Sequence, residues 1–330
     1  MNDRGLDPRI KAAFGDIEKI PEPKASSREE LIAQANSDEA VESRKQAKAY
    51  LELQDREDVA SSDGLSITTE MFASEPDGNT INIQFIRPES AESLPCVYYI
   101  HGAGGDLSCY DGNYRTWGRV LANQGAAVAM VDYRNSLVAS SGSEVGPFPA
   151  ALNDCVSGVK WISANSDALA INPDQIIVAG ESGGGNLALA TGLKLKQDDN
   201  LDLIRGLYAM CPSVGGGDHD MYGNYAHAYG IEEWNNRNPL AWPGFASEGD
   251  VRGLPPTTIS VNEFDPTRDE GIQFYRLLLA AGIPASCRQV MGTAHAIEVF
   301  PAVCPDISRE TARSIADFCR AMGSRAMGSE

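Results

Sequence analysis

The stretch Ile176-Ile177-Val178-Ala179-Gly180-Glu181-Ser182-Gly183-Gly184 joins a short apolar run to a G-x-S-x-G pentapeptide. The apolar run is typical of a buried strand, and the residues from Gly184 onward favour a helix. Glycines on both sides of Ser182 suit a sharp strand-to-helix turn, in which neighbouring backbones leave no room for a Cβ atom. The pattern predicts that the Ser182 hydroxyl is exposed at the edge of a sheet, beside a helix N-terminus. Taken alone, the pentapeptide also fits a Gly/Ser-rich turn with no chemical role.

Short apolar runs of the same kind recur along the chain and alternate with segments that favour helices. The other runs are residues 96–100, 126–131, 206–210 and 257–261, and the helical segments are residues 113–124, 150–165, 184–196 and 270–281. Such runs are typical of strands buried on both faces of a parallel sheet, so the alternation predicts an α/β fold with a mostly parallel central sheet flanked by helices. Alternating segments at 65–72 and 80–87, around a turn at 75–79, predict a leading antiparallel hairpin.

Two regions depart from this alternation. The first 64 residues are polar, and within them residues 26–60 favour one or two helices, with Ser27 and Glu30 as a capping box. Few apolar side chains accompany these helices, so we expect the arm to pack onto the main domain, residues 65–330. Residues 213–253 are rich in Gly, Tyr, His, Trp and Asn. This insertion follows a predicted strand, where ligands bind in α/β sheets, and it is expected to form a lid or pocket wall.

A serine hydroxyl needs a histidine to take its proton and a carboxylate to orient that histidine. The four histidines of the chain are His101, His219, His227 and His295. In strand-turn-helix sites of this kind the chain order is serine, acid, histidine, which excludes His101. His219 and His227 leave no strand end for an acid between themselves and Ser182. His295, in the loop after a predicted strand at 286–290, is therefore the candidate base, with a surface loop histidine as the alternative.

The acid is expected at a strand end between Ser182 and His295. Asp265 follows the predicted strand at 257–261 and is the preferred candidate. Glu263 and Asp269 are rivals, and any of the three carboxylates could serve only in a cap or an ion pair.

The oxyanion of an acyl-transfer reaction requires fixed N–H donors. His101-Gly102-Ala103-Gly104-Gly105 directly follows the predicted strand at 96–100 and has the position of an HGGG-type oxyanion loop. A phosphate-binding loop is the alternative, but neither G-x-G-x-x-G nor G-x-x-x-x-G-K-[ST] is matched.

Together these motifs resemble the hormone-sensitive lipase family of α/β-hydrolase carboxylesterases, and within it the brefeldin A esterase branch, over residues 94–300. The motifs that carry the resemblance to the family are HGAGG at 101–105, DYR at 132–134, FPAA at 148–151 with Asp154, GESGG at 180–184, DPTRDEG at 265–271, and His295. The resemblance to the brefeldin A esterase branch is carried by NPLAWP at 238–243, FASE at 245–248 and RGLPP at 252–256.

The resemblance implies an α/β-hydrolase fold with a helical cap, to which residues 1–64 and the insertion at 213–253 would belong. It implies Ser182, Asp265 and His295 as the catalytic triad and the N–H groups of Ala103, Gly104 and Gly183 as the oxyanion hole, with no metal or organic cofactor. His101 would brace the oxyanion loop, and Glu181 would be a supporting carboxylate. The implied activity is hydrolysis of short- to medium-chain carboxylic esters through an acyl-enzyme. Because Ala103 replaces the middle glycine of HGGG, the shape of the acyl pocket departs from the common family pattern.

Charge and composition exclude several other classes of function. Of the 330 residues, 27 are Lys or Arg and 46 are Asp or Glu, which gives a formal net charge of −19. Such a surface repels nucleic acid and anionic membranes, and no apolar run is long enough for membrane insertion. The seven cysteines have neither zinc-site nor disulfide-framework spacing, and the polar N-terminus lacks the pattern of a secretory signal, so a cytoplasmic location is expected.

The expected partner is a small-molecule ester, and the family makes a homodimer plausible. Two alternatives use the same fold. A ligand-binding receptor of this family would lack one triad residue, whereas all three are present. Amide hydrolysis cannot be distinguished from ester hydrolysis by these residues.

Overall fold

The computed structural model describes residues 5–15, 25–89, 92–102, 105–142, 144–216 and 219–324. Within these residues eight strands form one sheet in the order β1-β2-β4-β3-β5-β6-β7-β8. The strands are β1 (Leu65–Ser74), β2 (Asn79–Pro88), β3 (Leu94–Ile100), β4 (Ala127–Val131), β5 (Ile171–Glu181), β6 (Gly206–Met210), β7 (Thr257–Phe264) and β8 (Ala285–Ala294). β2 pairs antiparallel with β1 and β4, and every other pairing is parallel. The predicted α/β fold with a mostly parallel sheet and a leading hairpin is confirmed.

Helices cover both faces of the sheet. They are α1 (Pro8–Phe14), α2 (Arg28–Ala35), α3 (Asp38–Glu52), α4 (Gly112–Ala122), α5 (Ala150–Ala164), α6 (Ser166–Leu169), α7 (Gly183–Gln197), α8 (His219–Tyr229), α9 (Ile231–Asn235), α10 (Glu248–Val251), α11 (Arg268–Ala280) and α12 (Pro305–Ser324). Successive side chains of a strand point to opposite faces. On β3, Tyr98 packs into the core with α5, α7 and α11, whereas Tyr99 packs into the second core with α4 and α12.

Six helices of the described residues lie outside the helical segments predicted from the sequence: α1, α6, α8, α9, α10 and α12. α1 lies in the polar N-terminal segment, and α8, α9 and α10 lie in the insertion at 213–253. α12 has a buried face that includes Ile315, Cys319 and Met322, and this spacing of three to four residues is the signal that would have indicated it.

The N-terminal arm contacts the rest of the chain at several points. Ser27 caps α2 by accepting from the N–H of Glu30, and the Glu30 carboxylate reaches back to the N–H of Ser26, one residue before the cap. α2 packs against α8, where Leu31 and Ala228 share a small apolar cluster, and α3 packs against α4. Among the helices of the described ranges, none is long and apolar enough to cross a membrane.

Candidate active site

Ser182 lies in the turn between β5 and α7, as the sequence predicts. Its backbone has φ 55° and ψ −120°, and its N–H donates to the carbonyl of Met210 at 2.9 Å. The flanking glycines are required by space. A Cβ on Gly184 would lie 2.5 Å from the carbonyl oxygen of His101, and one on Gly180 would lie 2.6 Å from that of Ile100. The close packing of β3, β5 and α7 therefore fixes the turn.

The structure brings Ser182, His295 and Asp265 together. The Oγ atom of Ser182 lies 2.7 Å from Nε2 of His295, and Nδ1 of the same ring lies 2.8 Å from Oδ2 of Asp265. The Asp265 side chain is fully buried, whereas about a third of the His295 side chain is exposed (33%). This arrangement joins a hydroxyl, an imidazole and a carboxylate in the order that serine activation needs.

The second carboxylate oxygen of Asp265 is also hydrogen-bonded, which fixes the orientation of the side chain. Oδ1 of Asp265 accepts from the backbone N–H of Thr267 at 2.8 Å and from its hydroxyl at 2.9 Å. The two rival carboxylates have other partners. Glu263 accepts from the N–H of Gly292 at 2.7 Å, and Asp269 pairs with Arg268 on the surface. Of the three candidates, only Asp265 contacts His295 among the hydrogen bonds of the described residues.

The surroundings of His295 raise the pKa of its imidazole. Burial alone would lower the pKa of this imidazole, but the hydrogen bond and the negative charge of Asp265, with smaller contributions from Glu298 and Glu181, raise it above the ordinary value. An imidazole with this environment is a stronger proton acceptor than an exposed one.

The predicted oxyanion groups are only partly placed. Ala103 and Gly104 lie outside the described residues. Gly183 is the first residue of α7, and Ser182 stands at the N-cap position before it. The first N–H groups of a helix have no partner within the helix and favour negative charge, so this position fits the role predicted for the Gly183 amide.

Glu181 connects the turn at Ser182 to Gly102 in the segment after β3. Its buried carboxylate accepts from the backbone N–H of Gly102 at 2.5 Å and from the hydroxyl of Tyr114 at 2.6 Å, and it also accepts from Tyr99. Burial raises the pKa of Glu181 to about 7, against the lowering effect of these donors. The contact with Gly102 fits the supporting role that the resemblance implies.

His101 is fully buried in the β3 loop. Its Nδ1 atom lies 2.9 Å from the carbonyl of Gly102, its Nε2 atom lies 3.8 Å from Asp132, and its ring stacks on Tyr133. These contacts fit the bracing role implied for it. His219 and His227 lie on α8 in the insertion.

Sequence reasoning missed three neighbours of the site. Ser213 Oγ lies 3.4 Å from Ser182 Oγ, and Glu298 is buried with one oxygen accepting from Asn262 at 3.0 Å. Cys211 is fully buried next to Asp265 and His295. Burial raises the pKa of its thiol well above the usual range, so this group is neutral near pH 7. Cys211 immediately follows β6. Its position at the end of a predicted strand is the feature of the sequence that could have indicated that it lies near the site.

Comparison with known proteins gives the family. The chain matches the family described as alpha/beta hydrolase fold over residues 97–299, more than half of its length, and it belongs to that family. Among solved structures, esterase Est22 with p-nitrophenol is 54% identical with a TM-score of 0.93, covering 96% of this chain and 98% of that one. Brefeldin A esterase, a bacterial homologue of human hormone-sensitive lipase, is 32% identical with a TM-score of 0.83, covering 97% of this chain and 94% of that one. Esterase LipI of Mycobacterium tuberculosis is 28% identical over 69% of this chain and 73% of its own length.

These similarities confirm the resemblance to the hormone-sensitive lipase family predicted from the motifs. Within the α/β-hydrolase fold, the chain is a carboxylesterase by class.

Proposed function

We propose that the chain hydrolyses short- to medium-chain carboxylic esters through Ser182 as nucleophile, His295 as general base and Asp265 as the acid that orients it. The observation that carries the proposal is the imidazole of His295, which bridges the other two groups at 2.7 and 2.8 Å. A serine hydroxyl is a weak nucleophile unless such a base accepts its proton.

The reaction has two steps. Ser182 Oγ attacks the ester carbonyl while His295 Nε2 takes its proton, and the resulting imidazolium is stabilised by Asp265. His295 then protonates the leaving alcohol, which leaves an acyl group on Ser182. Water, activated by the same imidazole, attacks the acyl-enzyme and releases the carboxylic acid and the free serine.

The negative charge of each tetrahedral intermediate is proposed to lie on the N–H groups of Gly183, Ala103 and Gly104. The place of Gly183 at the N-terminus of α7 supports its part in this role, because the helix dipole favours negative charge there. Removing one such donor typically slows turnover by about 10²–10³-fold.

We propose further that residues 1–64 and the insertion at 213–253 form a cap over Ser182, separate from the catalytic domain that makes up the rest of residues 65–330. The contact of α2 with α8 supports this division, since it joins the arm to the insertion. The insertion begins beside the nucleophile, since the hydroxyl of Ser213 lies 3.4 Å from that of Ser182. Trp234 and Trp242 of the insertion pack against Gly215, two residues further on.

The test is hydrolysis of p-nitrophenyl acetate, butyrate, octanoate and laurate by the wild type and by Ser182→Ala. A fluorophosphonate, which labels activated serines covalently, is used beside the assay, and its adduct is mapped by mass spectrometry. Ser213→Ala is the matched control, because this hydroxyl is the neighbouring serine at 3.4 Å. We expect turnover that is fastest with the shorter esters, label on Ser182, and loss of both in Ser182→Ala.

Two results would contradict the proposal. Label on Ser213 that persists in Ser182→Ala would reject the nucleophile. The absence of turnover on every ester by folded wild-type protein would reject the reaction and favour ligand binding on the same fold. Faster turnover of laurate than of butyrate would reject only the chain-length preference.

A further inference from the structure

Four neighbouring strands each end at a residue of one cluster. β5, β6, β7 and β8 are parallel and adjacent in the sheet, so their carboxyl ends lie side by side. Ser182 follows β5, Cys211 follows β6, Asp265 follows β7, and His295 follows β8. The proposed mechanism uses the first, third and fourth of these residues. It leaves the thiol between them without a role.

The thiol is close to two of these groups. One ligand atom each of Cys211, Asp265 and His295 lies within 4.8 Å of the others. Cys211 is held in position by its backbone, since its N–H donates to the carbonyl of Ser260 at 2.6 Å, and its carbonyl oxygen lies 3.3 Å from the hydroxyl oxygen of Thr267. The same threonine fixes the outer oxygen of Asp265. The backbone of Cys211 and the carboxylate of Asp265 therefore have Thr267 as a common neighbour.

A sulfur, an imidazole nitrogen and a carboxylate oxygen are the donor types that zinc-like ions bind. The thiol disfavours Mg²⁺ and Ca²⁺, which prefer sites made of oxygen alone. We propose that Cys211, Asp265 and His295 form a binding site for a borderline-soft divalent cation such as Zn²⁺ or Cd²⁺, and that its occupation reversibly stops ester hydrolysis.

The chemistry of inhibition follows from the shared residues. Binding converts the thiol to a thiolate and releases its proton to solvent. The cation ties His295 and Asp265 to itself, so the imidazole no longer accepts the proton of Ser182 in the geometry that catalysis needs. We propose access from the side of His295, because part of its side chain is exposed whereas Cys211 and Asp265 are buried. The effect on turnover rests on the proposed catalytic roles, whereas binding of the cation does not.

Binding is tested first without an activity assay. The full chain is titrated with Cd²⁺, and the ultraviolet charge-transfer band of a cadmium thiolate is recorded. We expect a saturable band with one Cd²⁺ per chain, which is retained in Cys287→Ser and lost in both Cys211→Ser and Cys211→Ala. Cys287 is a suitable control because it is a half-buried free cysteine at another place on the sheet.

Inhibition is tested on the same proteins with p-nitrophenyl butyrate. Each variant is compared with its own metal-free rate, so a change in basal activity does not affect the result. We expect Zn²⁺ to inhibit the wild type, Mg²⁺ to have no effect, and a chelator to restore the rate. Even the loss of an outer partner of a metal ligand weakens binding by about 10–100-fold, so the Zn²⁺ concentration for half-inhibition should rise at least tenfold in the Cys211 variants.

Several outcomes would overturn the proposal. A cadmium band that disappears in Cys287→Ser would place the cation elsewhere, and this result needs no stable Cys211 variant. Absence of any band in the wild type would show that no cadmium thiolate forms and would reject the site. If Zn²⁺ inhibits Cys211→Ala as strongly as the wild type, the thiol takes no part in the inhibitory site. A wild type that binds Cd²⁺ at Cys211 but lacks esterase activity would contradict the proposed function and the inhibition, but not the metal site.

Discussion

Ser182 is held in a backbone conformation, φ 55° and ψ −120°, that residues with a side chain rarely adopt. Such a conformation costs on the order of 1–3 kcal/mol and persists only where the surrounding structure enforces it. The turn directs the hydroxyl toward His295 and leaves the Gly183 amide next to it. At the scale of single residues, the proposed chemistry therefore depends on strain in one residue and on the hydrogen bonds of one imidazole.

Asp265→Asn tests the orienting acid. The amide cannot stabilise an imidazolium and favours the wrong tautomer of His295, so kcat should fall by about 10³–10⁴-fold while the fold is retained. Glu263→Gln is the matched control, since Glu263 lies two residues away and accepts from Gly292 instead. Steady-state kinetics with p-nitrophenyl butyrate measure both. An equal loss in the two variants would contradict the assignment.

The pH profile tests the base. His295 must be neutral to accept a proton. Burial lowers its pKa, but the hydrogen bond and the charge of Asp265, with a smaller contribution from Glu298, raise the pKa above the ordinary value. The acid limb of kcat/KM should therefore have its midpoint above about 6.5, the usual histidine value. Glu298→Gln removes one of the negative charges, so the midpoint should move to lower pH.

The control for this shift is Glu310→Gln on the surface of α12, where the carboxylate is 74% exposed. Its profile should coincide with that of the wild type. A midpoint that stays in place in Glu298→Gln, or moves to higher pH, would show that Glu298 does not act on the imidazole by its charge.

At the scale of elements, the site depends on how closely β3, β5 and α7 approach one another. Gly180 lies near the end of β5, and Gly184 lies in the first turn of α7. A Cβ atom on either residue would meet the carbonyl oxygen of Ile100 at the end of β3. The same contact holds Gly102, just after β3, next to the turn at Ser182, through the hydrogen bond from the Gly102 N–H to Glu181. Gly180 and Gly184 therefore affect the site by allowing β3, β5 and α7 to lie close together.

Gly184→Ala tests this spacing. The added methyl group would overlap the carbonyls of Ile100 and His101, which are backbone atoms and cannot rotate away. Overpacking of this kind costs about 1–3 kcal/mol or more, so thermal unfolding should shift to lower temperature and esterase activity should fall. Gly249→Ala in α10 is the matched helical control, because the nearest atom to its Cβ lies at 3.6 Å. Equal stability of the two variants would contradict the argument.

At the scale of the whole molecule, the dominant feature is a formal net charge of −19. The potential of such a surface acts on charged substrates before any contact forms, and salt screens it over roughly 10 Å at 0.1 M. It leaves neutral substrates unaffected.

An ester that carries a carboxylate on its acyl group should therefore respond to salt. Its kcat/KM should rise several-fold between low and physiological ionic strength, because screening weakens the repulsion that slows encounter. The neutral ester with the same leaving group is the control and should change little. Stopped-flow assays at matched pH measure both. A parallel response of the two esters would show that the overall charge does not steer the substrate.

The homodimer and the cytoplasmic location inferred from the sequence stay predictions at this scale. Sedimentation velocity over a range of concentrations would show whether the chain forms a homodimer.

The sequence by itself determined the order of the elements and the identity of the key side chains. G-x-S-x-G between an apolar run and a helical run indicates the turn at Ser182, because few residues fit such close packing. The scarcity of histidines and the order of serine, acid and histidine were enough to choose His295. For the acid, sequence reasoning could only prefer Asp265, since Glu263 and Asp269 stand at the same strand end.

Tertiary structure alone decided which of these carboxylates contacts the imidazole and what else lies beside it. Cys211, Ser213 and Glu298 carry no motif, and they meet the site only because parallel strands bring distant segments to one edge of the sheet. The pKa shifts of Glu181 and His295 likewise depend on burial and on charges from other segments. Local sequence determines conformation over a few residues, whereas distances between segments are set by packing of the whole chain.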